Sequence, residues 1–345
     1  MGGSSLLRRV FIGTMIGSSL FLTACDPVAF IANQSLRFVE RNLVPPILSQ
    51  SDTNMVCQSG TALAPLIEGT ANIGANADQL STLLYVTAGS CAESMASDNE
   101  LRYLRAAHAN QVEEAQDARI AQKRWAEVAA RRQYNAYQHF EQYYQKKYDI
   151  KIGEQCNNFK SDFDELVYLL GIISGLQALV NDITAQQVVG VPMDIAAKAE
   201  RAATCLDNKK WWGAPLAIRA VVWNVLPGGD AGKDPWGAFQ TAMKIGDDSG
   251  VRLAQAMYAI SAAGKDDKER MRDAIRRYAL EPDTFKVNTK YRVADALAGQ
   301  IVQALSDRLW TEATGTRTPV GQLGHFWDDK SDMQSDGVSV DDLLK

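Results

Sequence analysis

Apolar and polar positions follow a helical rhythm over most of the chain. From about residue 28 to 312, alanine-rich segments place apolar residues three and four positions apart, as on one face of an α-helix. Runs of β-branched residues with strand spacing are scarce. The pattern predicts an all-α protein with helices near residues 28–42, 54–71, 76–95, 98–147, 162–182, 193–206, 213–225, 235–246, 250–263, 266–280 and 290–313.

Breaks between these helices are marked by proline and by capping residues. Residues 42–46 read Asn-Leu-Val-Pro-Pro and separate the first two helices. Residues 97–100 read Ser-Asp-Asn-Glu and predict a helix N-terminus. We expect segment 98–147 to break once, because a helix of about 50 residues is unusually long for a globular domain. The apolar run 166–180 contains glycine, serine and glutamine, which favours a core helix over a membrane span.

Three helix-forming segments resemble one another. Aligning Ala203, Ala242 and Ala274 gives spacings of 39 and 32 residues, close to the tetratricopeptide period of about 34 residues. A helix pair cannot bury its apolar face alone, so neighbouring pairs stack. We therefore predict stacked helix hairpins, a tetratricopeptide-like α-solenoid closing around a hollow. This repeat domain is expected over residues 51–325, with an acidic mobile tail at 326–345.

The N-terminus has the three parts of a secretory signal. Arg8 and Arg9 precede an apolar run of 14 residues, 10–23, which is shorter than the about 20 residues of a spanning helix. Residues 22–25, Leu-Thr-Ala-Cys, resemble the bacterial lipobox. We therefore predict a lipoprotein signal peptide at 1–24 and lipidation of Cys25. The alternative is an ordinary apolar helix with an incidental cysteine.

Lipidation of Cys25 would anchor the mature chain to a membrane through residues 25–50, the predicted tether and first helix. Several acyl chains on one residue hold far more firmly than one. Asp26 resembles an inner-membrane retention signal, which favours that membrane and a periplasmic location. The Arg8-Arg9 pair has only part of a twin-arginine signal, so Sec and twin-arginine export both stay open.

Charge excludes one class of partner. The chain has 36 basic and 41 acidic residues. Loss of Arg8 and Arg9 leaves a mature net charge of −7 (34 − 41). Such an acidic chain has no electrostatic footprint for nucleic acid.

Four cysteines remain after lipidation, and export would place them in an oxidising compartment. Four cysteines allow three pairings, of which we favour the sequence neighbours Cys57–Cys91 and Cys156–Cys205. The alternative is four buried thiols. The chain has no C-x-x-C motif and only three histidines, so neither a metal site nor a cofactor is predicted.

Motifs of common enzyme classes are missing from the sequence. No G-x-S-x-G, G-x-G-x-x-G or H-E-x-x-H pattern occurs. We therefore expect a protein that is not an enzyme.

Aromatic side chains recur with helical spacing in segment 130–144. Tyr134, Tyr137, Tyr144 and, just beyond this segment, Tyr148 fall on one face, and Phe140 and Tyr143 flank it. Such a face could form the wall of a ligand tunnel, since the rings supply apolar area and the hydroxyls supply polar points. The alternative is helix–helix packing.

Two further groups are candidates for docking a partner. Trp211 and Trp212 precede a predicted helix, and tryptophan is enriched at interface hot spots. The alternative places at least one of them in the core. Arg272 and Arg276 form a basic cluster that could dock an acidic partner, or could be a solvated helix face.

Several segments together resemble the T-component of TRAP transporter systems, which are lipoproteins with degenerate tetratricopeptide-like repeats. The likeness runs through the lipobox and segments 55–71, 81–94, 130–144, 211–230, 235–247 and 293–310. The four extra cysteines and residues 145–165 depart from the family.

The resemblance implies an accessory role in the periplasm, in association with the transporter's substrate-binding protein. It also implies a hollow that accepts a hydrophobic or amphipathic ligand, and it is compatible with homo-oligomers such as trimers. The alternative is a scaffold lipoprotein of an envelope assembly that holds no ligand.

Overall fold

Helices make up the regular structure of the protein. The computed structural model describes residues 27–226, 228–280 and 285–329, and no strand occurs within these ranges. The all-α prediction is thereby confirmed. Cys25 and Asp26 lie outside the described residues, as does segment 330–345.

The helices of the described part are numbered here in chain order. They are α1 (Pro27–Asn42), α2 (Val44–Leu48), α3 (Thr53–Gly69), α4 (Asp78–His108), α5 (Val112–Tyr148), α6 (Asp162–Thr184), α7 (Ile195–Ala203), α8 (Ala214–Val225), α9 (Pro235–Ser249), α10 (Leu253–Gly264), α11 (Lys268–Ala279) and α12 (Arg292–Thr314). Short 3₁₀ turns follow α3 at Thr70–Ile73 and precede α12 at Thr289–Tyr291.

From α3 onward, each helix packs against the next helix along the chain. The last helix, α12, also packs back on α2, α3 and α4, so the end of the stack meets its beginning. The predicted stack of helix hairpins is confirmed. Ala203, Ala242 and Ala274 lie in α7, α9 and α11, the second helices of their pairs, and all three are buried.

The α4–α5 hairpin corrects one predicted boundary. Residues 97–100 do not begin a helix, because α4 runs through them to His108. Asp98 and Glu100 form ion pairs with Arg317 and Arg308 on the helix surface instead of capping it. The single break expected within 98–147 lies at Ala109–Gln111, where Asn110 has a φ of 60°.

Two disulfides join elements along the stack. Cys57–Cys91 links α3 to α4, and Cys156–Cys205 links the connection after α5 to the end of α7. These are the pairs favoured from sequence neighbours. Helix α6 is long and apolar enough to cross a membrane by length and composition alone, yet most of that stretch is buried inside the protein. Its side chains therefore belong to the core.

The folded domain extends beyond the boundary predicted at residue 325. Phe326 is fully buried, and its neighbours Asp328 and Asp329 form ion pairs with α11. The first four residues of the predicted tail, 326–329, are thus part of the packed structure. The free energy gained by burying the Phe326 ring keeps this segment packed although most of its neighbours are polar.

Candidate functional site

A cleft of about 620 Å³ opens where α1 and α2 cover the ends of three longer helices. The first turn of α4, the last turns of α5 and the first turn of α6 form its base. Apolar side chains from four elements line its walls: Leu36, Val44, Leu48, Phe163, Leu166 and Tyr291. The residues expected to form the wall of the predicted hollow are not among those that line this cleft.

Asp164 organises the base of the cleft. Its Oδ1 accepts hydrogen bonds from Gln79 Nε2 at 2.8 Å, Tyr143 OH at 2.8 Å and Lys147 Nζ at 2.9 Å. Its Oδ2 accepts one from Tyr148 OH at 2.7 Å. The carboxylate is buried and joins α4, α5 and α6. It is a structural anchor for the site because donors already occupy both oxygens.

Local sequence places this carboxylate at the start of its helix. Ser161 is the N-cap residue of α6, and its Oγ accepts a hydrogen bond from the Asp164 backbone N–H at 3.1 Å. A serine cap satisfies one of the helix's free N–H groups. An acidic residue in the first turn is also stabilised by the helix dipole. The cap therefore fixes where Asp164 meets the donors from α5.

Asp164 stays ionised although it is buried. Burial raises the pKa of this carboxyl, but hydrogen bonds from Lys147, Tyr148 and Tyr143 outweigh that effect, so the pKa lies below its ordinary value. Burial and the bond to Asp164 raise the pKa of Tyr148 to about 12. The same two causes raise the pKa of Tyr143. Both phenols therefore remain neutral donors to a charged acceptor.

The lip of the cleft is cationic on the α1 side. Arg37 and Arg41 lie four residues apart on α1, and both are exposed. Within the described ranges, neither guanidinium has a hydrogen-bond or ion-pair partner. Lys290 lies on the opposite side and is 3.9 Å from Asp162. The lip therefore presents two guanidinium groups without a close ion pair, next to the Glu40 carboxylate, and such groups can bind an anion in bidentate geometry.

Glu40 lies between these arginines and the base of the cleft. Burial is the main reason that the pKa of this carboxyl is raised, and the nearby Asp164 charge adds to the effect against Lys147. The positive charges of Arg37 and Arg41 act in the opposite direction and favour the ionised form of Glu40. The cleft thus combines apolar walls with a cationic lip, which suits a ligand with an apolar body and an anionic group.

The aromatic face predicted as a tunnel wall lies elsewhere. Tyr137, Phe140 and Tyr144 are buried in the core, where the Phe140 ring lies 5.2 Å from that of Tyr144. Tyr134 is partly buried against the same core. None of the four lines the cleft. Edge-to-face packing between the rings explains their spacing without a ligand.

Of the aromatic residues near the predicted face on α5, Tyr143 is the one that lines the cleft, although it was expected only to flank that face. Tyr143 is adjacent to Tyr144 in sequence but points to the next face of α5. Its signal in the sequence is the i,i+4 pair with Lys147, whose ammonium group donates to the Tyr143 hydroxyl. The Tyr143 hydroxyl and the Lys147 ammonium group both bond to Asp164. Asp164 lies in α6, so the spacing within α5 alone does not reveal the site.

The tryptophan pair predicted to dock a partner is buried in the core. Trp211 Nε1 donates to Glu165 at 2.7 Å, and the Trp212 ring packs edge-to-face on Tyr291 at 4.8 Å. The turn that holds them needs glycine at 213, where φ is 74° and a Cβ would lie 2.2 Å from the Ala242 carbonyl oxygen. The docking prediction is therefore wrong for both indoles.

The two arginines predicted to dock an acidic partner have partners within the chain. Arg272 pairs with Asp328 at 3.0 Å, and Arg276 pairs with Asp329. Both guanidiniums also lie over the ring of Phe326. The acidic partner is the chain's own segment 326–329, which corrects the prediction of a docking surface.

A second polar cluster joins α3, α4 and α5. His139 Nδ1 lies 3.0 Å from Asp78 Oδ1, and Lys146 Nζ donates to Asp78 Oδ2 at 2.6 Å. Tyr85 stacks on the His139 ring and donates to Glu68. Burial raises the pKa of Asp78, but the bonds from His139 and Lys146 prevail and lower it. In the described residues, no such cluster has a geometry that would hold a metal ion.

The fold and the cleft define a class of protein: an all-α stack of helix hairpins with a charged-lipped cleft near its N-terminus. Neither a family model nor a curated protein nor a solved structure matches the chain. Its function is therefore inferred from the geometry of the cleft and from the signals in the sequence.

Proposed function

We propose that this chain is a periplasmic, lipid-anchored accessory protein of a TRAP-type transporter, similar to a T-component. In this role it docks the substrate-binding protein and holds an amphipathic ligand in the cleft. The observation that carries the proposal is the cleft itself, with apolar walls below the exposed guanidiniums of Arg37 and Arg41. The lipobox at Cys25 and the likeness of several segments to the family support it.

The ligand chemistry follows from the lining. An apolar body would contact Leu36, Val44 and Phe163, and an anionic group would meet Arg37 and Arg41 at the lip. The volume of about 620 Å³ lies within the range of small-molecule sites, about 300–1,000 Å³. Both oxygens of the Asp164 carboxylate accept hydrogen bonds already. The site thus favours non-covalent binding over acid–base chemistry.

Anchoring supplies the rest of the mechanism. A lipid on Cys25 would confine the protein near the permease and raise the local concentration of a bound partner without any new contact. Stacked hairpins leave an extended surface on which another protein can dock. Transfer of a ligand between the two proteins then needs only that the cleft and the binding site of the docked substrate-binding protein lie next to each other.

The test is a pull-down of the tagged protein from its native envelope, with mass spectrometry of the proteins and small molecules that co-purify. We expect a periplasmic substrate-binding protein and an amphipathic anion. The variant Arg37→Glu/Arg41→Glu should lose the small molecule. Its matched control, Arg131→Glu/Lys244→Glu, reverses two exposed charges away from the cleft and should retain it. Absence of any binding protein, when such proteins are present in the extract, would remove the transport role.

A second candidate function is a scaffold in an envelope assembly, and the outer side of α3 favours it. Five uncharged residues lie there with successive spacings of four, three, four and three: Met55, Ser59, Ala62, Leu66 and Gly69. Ser59 is half-buried and the other four are exposed. This is the spacing of a coiled-coil seam, which suits a second copy of the chain.

Sedimentation of the purified protein tests the scaffold candidate, and the pull-down described above tests the transport role. If the scaffold is correct, wild type forms a discrete oligomer that Leu66→Glu converts to monomer. Val188→Glu changes an exposed residue in the α6–α7 connection and should leave the oligomer intact. A monomeric wild type at micromolar concentration would exclude this candidate.

A further inference from the structure

Helix α1 exposes large apolar side chains on its outward face. Phe30, Ile31 and Phe38 are 60%, 64% and 61% exposed. Ile31 and Phe38 are seven residues apart and lie on the same side of the helix. Single exposed apolar residues are ordinary, but three on a helix of 16 residues form a patch that calls for an occupant.

The opposite face of α1 is firmly placed by the fold. Leu36 is buried in the main core. Asn33 Nδ2 donates to the Gly74 carbonyl at 3.3 Å, and its Oδ1 accepts from the Asn76 backbone N–H at 2.8 Å. The orientation of Phe30, Ile31 and Phe38 toward solvent is therefore a property of the packed protein.

Charge on α1 complements an anionic lipid surface. Arg37 and Arg41 lie beside the apolar patch, and Glu40 is the only acidic residue in the helix. A helix with an apolar face and flanking basic residues is the arrangement that lies in a bilayer interface. Guanidinium groups bind lipid phosphates in the same bidentate way as other phosphates.

The place of α1 in the chain, directly after Cys25, also favours contact with a membrane. Pro27 begins α1 two residues after Cys25, and two residues span at most about 7 Å. In a chain anchored at Cys25, the first turn of α1 would therefore start at the membrane surface. The patch would then meet lipid before it could meet any other partner.

A second copy of the chain is a weaker occupant for this face. The exposed parts of three such side chains amount to roughly 350 Å², from full areas of about 150–250 Å² each. A stable protein interface buries about 800 Å² on each partner. A bilayer has no such minimum, since each inserted group contributes separately.

We propose that α1 lies in the membrane interface, with Phe30, Ile31 and Phe38 inserted among acyl chains and Arg37 and Arg41 at the level of the lipid headgroups, where lipid phosphates compete with a cleft ligand for the same two guanidiniums. Because Leu36 and Glu40 on the other side of α1 line the cleft, this orientation places the cleft beside the lipid headgroups. The inference goes beyond the proposed transport role; its argument from chain position rests on the lipid anchor that the proposed function includes, and the first experiment tests the surface without that anchor.

The first experiment is flotation of the chain from Asp26 onward with vesicles. This chain lacks Cys25 but keeps every residue of the described fold, so any binding comes from the protein surface. The vesicles are phosphatidylcholine alone or phosphatidylcholine with a quarter phosphatidylglycerol. Wild type should float with the anionic vesicles, and Phe30→Ser/Ile31→Ser/Phe38→Ser should lower the partition coefficient at least tenfold. The matched control is Val180→Ser/Val188→Ser/Val225→Ser, which replaces three exposed valines elsewhere and should bind as wild type does.

The second experiment places a probe on the helix in the lipidated full-length protein. Cys57, Cys91, Cys156 and Cys205 are disulfide-bonded, and Cys25 carries the lipid in this protein. A cysteine introduced by Phe38→Cys is then the free thiol that a polarity-sensitive dye can label. A blue shift is expected on reconstitution into the anionic vesicles, and none for the label at Val188→Cys.

Three outcomes would overturn the proposal. In the first, wild type does not float with anionic vesicles, and in the second, the triple serine variant floats as well as wild type. In the third, the emission of the label at Phe38→Cys shifts with protein concentration in the absence of vesicles. The last would assign the face to a second copy. The pull-down measures capture of a substrate-binding protein, whereas flotation and the dye measure membrane contact. The transport proposal and the membrane proposal can therefore fail independently of each other.

Discussion

Lys147 Nζ lies 2.9 Å from Asp164 Oδ1 and joins the last turn of α5 to the first turn of α6. The Asp164 side chain is buried and the Lys147 side chain is about two-thirds covered. A charge-assisted hydrogen bond of this kind is about twice as strong as a neutral one. The pair therefore holds the base of the cleft and should govern part of the protein's response to acid.

Replacing Asp164 should change stability in a pH-dependent way. The folded-state pKa of Asp164 is lowered, so its contribution is fully present above the unfolded pKa of about 3.9. That contribution disappears as the pH falls through the lower folded value. Asp164→Asn should cost about 3 kcal/mol at pH 7, and this difference from wild type should shrink below pH 4.

Urea unfolding at pH 7 and pH 3 measures this difference. Asp117→Asn is the control, because that carboxylate is largely exposed and surface pairs contribute about 0–1 kcal/mol. An equal loss for Asp164→Asn at both pH values would mean that packing, not charge, explains the effect.

Helical periodicity was enough to predict most helices, since each carries its own apolar stripe and small residues. The α4 terminus was misplaced because Asp98 and Glu100, which could cap a helix, find ion-pair partners that only tertiary structure supplies. The cleft could not be predicted for a related reason. Arg37, Tyr143 and Asp164 converge there from three helices, and no local pattern connects them.

Arg252 and Asp295 form a buried ion pair between the start of α10 and α12. Arg252 Nη2 lies 2.7 Å from Asp295 Oδ2 and Nε lies 3.0 Å from Oδ1. The guanidinium also lies over the rings of Tyr278 and Phe285. Asp295→Ala removes both charge-assisted hydrogen bonds that Asp295 accepts from this buried guanidinium and should destabilise the fold by about 3 kcal/mol.

The matched control is Asp248→Ala, which breaks the exposed i,i+4 pair with Lys244 and should cost less than about 0.5 kcal/mol. Both values come from urea midpoints at unchanged slope. Similar losses for the two variants would show that water reaches the Arg252 site.

The disulfides should contribute according to the chain they close. Cys57–Cys91 spans 34 residues and Cys156–Cys205 spans 49. Loop entropy predicts roughly 4 kcal/mol for each. Cys57→Ala/Cys91→Ala and Cys156→Ala/Cys205→Ala should each lose about that much, measured by calorimetry of the oxidised proteins.

Reductant supplies the control for the disulfide variants. It should destabilise wild type more than either double variant and leave the chain without all four cysteines unchanged. Peptide mapping without reduction that finds another pairing would contradict the prediction outright.

Segment 326–329 acts as a clamp on α11. Phe326 is fully buried and lies beneath the guanidiniums of Arg272 and Arg276. The Phe326 backbone N–H donates to Asp329 Oδ2 at 2.9 Å, which folds the segment back on itself. Phe326→Ala should therefore destabilise the protein by about 3–5 kcal/mol, the usual cost of removing a buried aromatic ring.

Thermal unfolding should separate the packing of this clamp from its charges. Arg276→Ala removes an exposed ion pair with Asp329 and a cation–π contact, and we expect a loss of about 1 kcal/mol. Val320→Ala changes a fully exposed residue six positions before Phe326 and should be neutral within about 0.5 kcal/mol. If Phe326→Ala unfolds with wild-type midpoint, the domain ends before residue 326 as composition alone suggested, and Arg272 and Arg276 become available to an external acidic partner.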